Sequence, residues 1–346
     1  MASSPIYPLY EKALTLHRAS PLYTGLEHPL ERADLQNLAR KFRDILAGGI
    51  LRGVQVGLDP DSTVVGTAGA LRSVVWGPLP YEERWDEHNE ENIDNDEDTG
   101  TGLDESRGLL LTITYEKSEY TAVMLRDTTG NVWDNTLGAG KVEDGFESFP
   151  LLLCKMPPAL RDTFVEFLAT TFDARVSALR FPNNYIMESF EQYVTYVCIG
   201  EDGEPLSDAE SSRTIKKVIG AVEVQIGFEV PGGSAALKSI TMKLTQQDLP
   251  RIIAMGKKMR NTTGNAPFFD AMVGYVNKHL AMDLTHDRVK NTRIACDAFV
   301  LGAEGRVKFI YPGQQEENSP QKRATKRLVH GLIAFAKGSA MGIEEP

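Results

Sequence analysis

Thirteen residues, VIGAVEVQIGFEV at 218–230, limit the fold more than any other stretch. Val222, Val224, Ile226, Phe228 and Val230 alternate with Glu223, Gln225, Gly227 and Glu229. A period of two sends the two sets to opposite faces of a strand, one apolar and one wet. Strands of a parallel sheet are covered on both faces and read as unbroken apolar runs, whereas strict alternation belongs to an antiparallel sheet with one solvated face.

The remaining patterns agree with that class. LLLTITYEKSEYTAVMLR (109–126) holds two β-rich runs around EKSE and reads as a hairpin. Further strands are expected at 50–58, where Val54, Val56 and Leu58 alternate, at 70–78, at 237–245 after a PGG turn, and at 292–301 and 305–311 around AEG. Residues 30–46, between Pro29 and Gly48, place Leu35, Leu38, Phe42, Ile45 and Leu46 on one helical face. Helices also follow at 157–171 (Leu160, Phe164, Leu168 inward), 185–198 (Phe190, Tyr193, Val194, Val197 inward), 248–260, 267–282 and 320–337. Strands come in hairpins rather than in alternation with helices, so the expectation is an α+β fold. A chain of 346 residues suits two lobes better than one. The polar stretch GEDGEPLSDAESS (200–212) reads as a linker, separating an N-terminal lobe, 1–199, from a C-terminal lobe, 213–346.

Charge is unevenly placed. Residues 82–105 carry twelve acids and one base, a net −11 that equals the formal charge of the whole chain. Such a block reads as a solvated, disordered insert, 82–107 with its flanks. Without it the body is neutral, and residues 206–346, with 20 bases and 14 acids, are the candidate for an anionic partner.

Motifs for catalysis or metal binding fail on inspection. Asp94, Asp96, Asp98 and Glu105 have the spacing of a calcium loop, but Thr99 stands where the sharp turn needs glycine. GAGKV (138–142) lacks the earlier glycine of a phosphate loop and has Val142 where magnesium needs a hydroxyl. The six histidines are scattered; His279 and His286 flank Asp283 without a metal-ligand spacing. No cofactor or metal is expected. Cys154, Cys198 and Cys296 lie far apart beside apolar residues, the pattern of reduced, buried thiols in nucleus or cytosol. No membrane span or signal peptide is expected from MASSPIYPLYEK and the runs that follow.

Several segments in order resemble a known family: LTLHRASPLYTG (14–25), ILRGVQVGL (50–58), GALRSVVW (69–76), YEKSEYTAVMLR (115–126) and FPLLLCKMPPALRDTFVEFLATTFDARVSALRF (149–181). They are similar to fungal inner-kinetochore subunits of the CENP-L family, part of the constitutive centromere-associated network. The resemblance implies a non-enzymatic nuclear scaffold with curved, largely antiparallel sheets flanked by helices. It implies a heterodimer with CENP-N, contact with other network subunits, and a positively charged passage for centromeric DNA beside the CENP-A nucleosome. No small-molecule substrate is implied. The alternative is a soluble enzyme or ligand-binding protein with an unrecognised pocket.

Within that frame the DNA-contacting candidates are Arg213, Lys216 and Lys217 at the start of the long strand, Lys257, Lys258 and Arg260 at a helix end, and Lys322, Arg323, Lys326 and Arg327 in the last helix. Such groups would meet phosphates and read no sequence. Lys257 and Lys258 also suit simple compensation of a helix dipole. For the partner the candidate edge strand is 292–301, with Arg293, Ile294, Phe299 and Leu301. Ser319-Pro320-Gln321-Lys322 fits the pattern of proline-directed cell-cycle kinases, in a polar stretch expected to be exposed, with Ser319 at a helix N-cap.

Overall fold

The computed structural model describes residues 6–25, 30–48, 68–85, 106–127, 145–228, 238–259, 266–313 and 319–338. The expected strand at 50–58, the calcium-like and phosphate-loop-like segments, and Arg260 lie outside the described residues. The fold is α+β, with seven α-helices and an open, antiparallel sheet architecture among the described residues. Contacts divide the chain into two compact units: Met1–Leu9, Leu14–Ala178 and Leu332–Pro346, and Tyr10–Ala13 with Leu179–Gly331.

The first unit carries strands β1 (Leu14–Ala19), β2 (Leu22–Tyr23), β3 (Leu71–Leu79), β4 (Gly108–Tyr115), β5 (Glu119–Leu125), β6 (Phe146–Glu147), β7 (Leu151–Lys155) and β8 (Val176–Ala178). Its helices are α1 (Arg32–Gly48) and α2 (Pro158–Phe172). From β1 the sheet runs through β7, β5 and β4 to β3, and β8 pairs with residues 17–19 of β1. β2 and β6 form a separate ribbon. Alternation sets the core: Leu109, Leu111, Ile113 and Tyr115 of β4 turn to one face, joined by Ala122, Met124, Leu152 and Cys154. α1 and α2 cover that face with interlocked rings. Phe42 meets Phe164 at 5.5 Å between centroids, and Trp76 meets Phe164 at 5.7 Å and Phe172 at 6.5 Å. Burying one such ring is worth about 3 kcal/mol. Ile45, expected inward, is 48% exposed; Leu46 packs against the core in its place. The helical period drifts past the contact face there.

The acidic insert begins and ends in ordered chain. Glu82–Arg84 form a 3₁₀ turn, and Ser106 and Arg107 are buried. Its remainder, 86–105, lies outside the described residues.

The second unit holds helices α3 (Tyr185–Val197), α4 (Asp208–Val218), α5 (Leu249–Met259) and α6 (Pro267–Leu280), with strands β9 (Val222–Phe228), β10 (Ser239–Leu244), β11 (Val289–Ala295), β12 (Phe299–Gly302) and β13 (Arg306–Phe309). The strand order is β10-β9-β11-β12-β13, every pairing antiparallel. In β9 Val222, Val224 and Ile226 are fully buried while Glu223 and Gln225 are half-exposed, as the alternation predicts. α3 lies on this sheet: Tyr193 meets Phe299 at 4.8 Å, and Phe190 reaches Phe268 of α6 at 4.9 Å. The last helix, α7 (Pro320–Lys337), is shared; its residues to Gly331 count with the second unit and those from Leu332 with the first. Its final turn is held within the first unit by Arg18, which donates to the Phe335 carbonyl at 3.0 Å, and by a Lys337–Asp127 ion pair.

Two expectations need correction. The expected strand 292–301 is two strands, β11 and β12, turned at Asp297-Ala298, where the Cys296 N–H bonds the Phe299 carbonyl at 2.9 Å. The apolar run around it masks the turn, and Asp297 N–H is anchored on the distant Ile219 carbonyl at 3.0 Å. The expected linker 200–212 contains the first residues of α4. Ser207 and Glu210 make a reciprocal capping box, so Asp208 to Ser212 are helical. Serine and acids are the vocabulary of both caps and linkers, which is why composition misled there. Arg213, Lys216 and Lys217 therefore sit in a helix, not at the start of a strand.

Candidate partner and nucleic-acid interface

β10 is the open edge of the second unit's sheet. It pairs with β9 alone among the described residues, in the register Ser239↔Gly227 to Leu244↔Val222. The Phe228 N–H bonds the Lys238 carbonyl at 2.9 Å, which fixes the phase of the ladder. Antiparallel pairs alternate between bonded and non-bonded, so Ile240, Met242 and Leu244 face β9 with their backbone groups. Ser239, Thr241 and Lys243 then turn N–H and C=O outward. Lys243 carries a 2.6 Å ion pair to Glu223 and is 73% exposed, a charge on the edge of the kind that discourages indiscriminate pairing. That ammonium holds the Glu223 carboxyl below its usual range.

The residues expected to meet the partner are placed otherwise. β11 has β9 along its length on one side and β12 against Arg293, Ile294 and Ala295 on the other, so the part of it expected to meet a partner is paired on both sides. Ile294, Phe299 and Leu301 are fully buried in the core; only Arg293 is exposed. The available edge, β10, is separated from β11 by β9, because pairing order is not written in any one strand.

Three of the candidate cations, Arg323, Arg327 and Lys257, stand at the C-terminal end of α3. Arg323 donates to the Ile199 carbonyl at 2.7 Å, and the Arg327 guanidinium lies 5.1 Å over the Tyr196 ring. Both compensate the negative end of α3, a structural duty that competes with any phosphate. Burial raises the Cys198 thiol, and the Lys257 charge acts against that shift, so Lys257 stands near the same helix end. α4 and α5 pack against each other beside it. Arg213 and Lys217, four residues apart, share an exposed face of α4, and Lys257 and Lys258 are exposed on α5. Lys216 is half-buried, and its carbonyl accepts from Gln246 at 2.7 Å. Lys322 and Lys326 are half-exposed on α7. Arg213, Lys217, Lys257 and Lys258 are thus exposed, as is Arg327, whose guanidinium lies on Tyr196.

Ser319 is at the expected N-cap. Its Oγ accepts the Lys322 N–H at 3.4 Å. The expected exposure is not found: Ser319 is 5% exposed, because capping folds the hydroxyl back over the helix start. The His279 ring lies tilted against Tyr275 at 4.5 Å between centroids, His286 Nδ1 accepts from the Arg288 N–H, and Asp283 caps a turn at Thr285. These are local structural roles.

Sequence reasoning overlooked one buried acid. Glu191 of α3 is 6% exposed and accepts the Phe269 N–H at 2.9 Å, so a carboxyl from one helix caps the first turn of α6. Desolvation pushes its pKa up to about 7, against the backbone hydrogen bonds from Phe269 and Phe268, which lower it. A helix position among apolar neighbours gave no sign of this.

A family model, Centromere protein L (CENP-L), matches residues 8–337. The chain belongs to the CENP-L family. No curated protein matches it. CENP-L proteins are structural components of the centromere and kinetochore and associate with other members of the centromere-associated network, and this chain is one of them. No helix among the described residues is long and apolar enough to cross a membrane.

Proposed function

We propose that this CENP-L chain is a nuclear scaffold that pairs with a CENP-N homologue through the open edge of β10 and offers cations of its second unit to centromeric DNA beside the CENP-A nucleosome. The observation that carries the reading is the unpaired edge of Ser239–Leu244. Outward N–H and C=O groups at Ser239, Thr241 and Lys243 can extend the sheet by one strand of a partner. Ile240, Met242 and Leu244, half-buried, supply apolar contact next to it.

The ladder phase makes the test selective. Thr241→Pro removes an outward N–H and leaves every bond to β9, so the chain should keep its stability while losing the CENP-N homologue on co-expression. Met242→Pro removes an inward bond and should destabilise the fold itself. A Thr241→Pro chain that still forms a 1:1 complex would rule out this edge. For DNA, Arg213→Glu with Lys217→Glu in the heterodimer should lower the slope of log K against log salt by about 2, since each phosphate contact contributes roughly 0.9. An unchanged slope would remove α4 from the DNA surface.

A further inference from the structure

We propose that the outer face of α5 and α6 is a docking surface for an acidic, amphipathic segment of a protein partner, separate from the β10 edge and from DNA. Eight large apolar side chains are strongly exposed among the described residues. Four of them, Met255, Met259, Tyr275 and Leu280, fall on this one helix pair. The core does not need them. α5 turns Leu249, Ile253 and Gly256 inward, and α6 buries Phe268, Ala271, Met272 and Val276.

The exposed groups join up. Met255 and Met259 stand one turn apart on α5, 42% and 48% exposed. A Cβ on Gly274 would lie 3.1 Å from the Met259 methyl, so the thioether reaches across to α6. Tyr275, 55% exposed, is the next residue. The result is a strip of two thioethers, a bare glycine and a phenol ring. Methionine and tyrosine are enriched at protein interfaces, methionine because its flexible, polarizable chain adapts to a partner. An exposed apolar strip with a charged margin marks an interaction site rather than an ordinary surface.

The margin identifies the occupant. Lys258, three residues from Met255, and Lys278, three residues from Tyr275, are exposed beside the strip. α5 contains no acid, and the single acid of α6, Asp270, lies in its first turn, away from Tyr275. A phosphate backbone would satisfy the lysines and leave Met255, Met259 and Tyr275 uncovered. A segment with an apolar stripe flanked by Asp and Glu satisfies both.

The test uses the full-length chain in its native cells, with p-benzoylphenylalanine replacing Met255 or, separately, Tyr275. After irradiation the attached material is identified by mass spectrometry. The expected product is a protein segment of net negative charge with apolar residues at helical or alternating spacing. Its yield should fall at least fivefold when Lys258→Glu and Lys278→Glu are added. Attachment to nucleic acid or lipid, attachment to a segment without net negative charge, a yield indifferent to the charge reversal, or no adduct at either position would each overturn the proposal.

Discussion

Replacing Glu191 by glutamine tests how the second unit is held together. The carboxyl is 6% exposed and accepts the Phe269 N–H at 2.9 Å. Its pKa stands at about 7, raised from 4.5 by desolvation first, with the nearby Asp270 charge adding to the rise. The folded state therefore binds a proton more tightly than the unfolded state. Below pH 4.5 both are protonated and the group's stability is fully present. As pH climbs through 7 the folded state must bury a charge, and that stability is lost. The shift of ~2.5 units corresponds to about 3 kcal/mol at the alkaline limit, at roughly 1.4 kcal/mol per unit. Glutamine keeps an acceptor for Phe269 and never ionises. Between pH 5 and pH 8 the stability of Glu191→Gln relative to the parent should rise by about 2.5 kcal/mol. Urea titration with peptide-resolved hydrogen exchange over 267–280 is the suitable assay, because the three tryptophans, Trp76, Trp85 and Trp133, all lie in the first unit. A gap that changes by less than ~0.5 kcal/mol would show that Glu191 ionises like a solvated acid, and the linkage argument would fail.

A Cβ on Gly256 would sit 1.6 Å from the Pro267 carbonyl oxygen, so Gly256→Ala must push α5 from α6; a loss of about 3 kcal/mol is expected, read as earlier urea unfolding of the second unit. Ser319→Ala should cost about 1 kcal/mol and speed hydrogen exchange at the start of α7, and a proline-directed kinase should modify Ser319 far more slowly in the folded chain than in a 313–325 peptide; equal rates would mean that the helix start opens freely.

Local signals carried the fold class and most elements. The last helix occupies Pro320–Lys337, the span expected from its serine cap, Pro at the first position and regular apolar spacing. The hairpin of β4 and β5 turns where EKSE stands, and β9 buries Val222, Val224 and Ile226 as its alternation selects, with Phe228 at its end only half-buried. Each depends on neighbours within a few residues, so sequence suffices. β1 and β7, by contrast, went without a strand expectation, because LTLHRA and LLLCK are short apolar runs that fit either structure.

The interfaces were decided elsewhere. Whether Ile294 and Phe299 face a partner or a core depends on β9 and α3, which are distant in sequence, and the structure buries them. That β10 rather than β11 is left unpaired is a property of strand order, which every strand contributes to and none encodes. Arg323 and Arg327 read as basic surface in one dimension; only packing shows them spent on the end of α3. Glu191 reads as a helix acid like any other until Phe269 is placed 2.9 Å away. Periodicity and caps are short-range physics and survive in the sequence. Edge, burial and charge pairing are relations between segments, and they exist only once the chain has closed on itself.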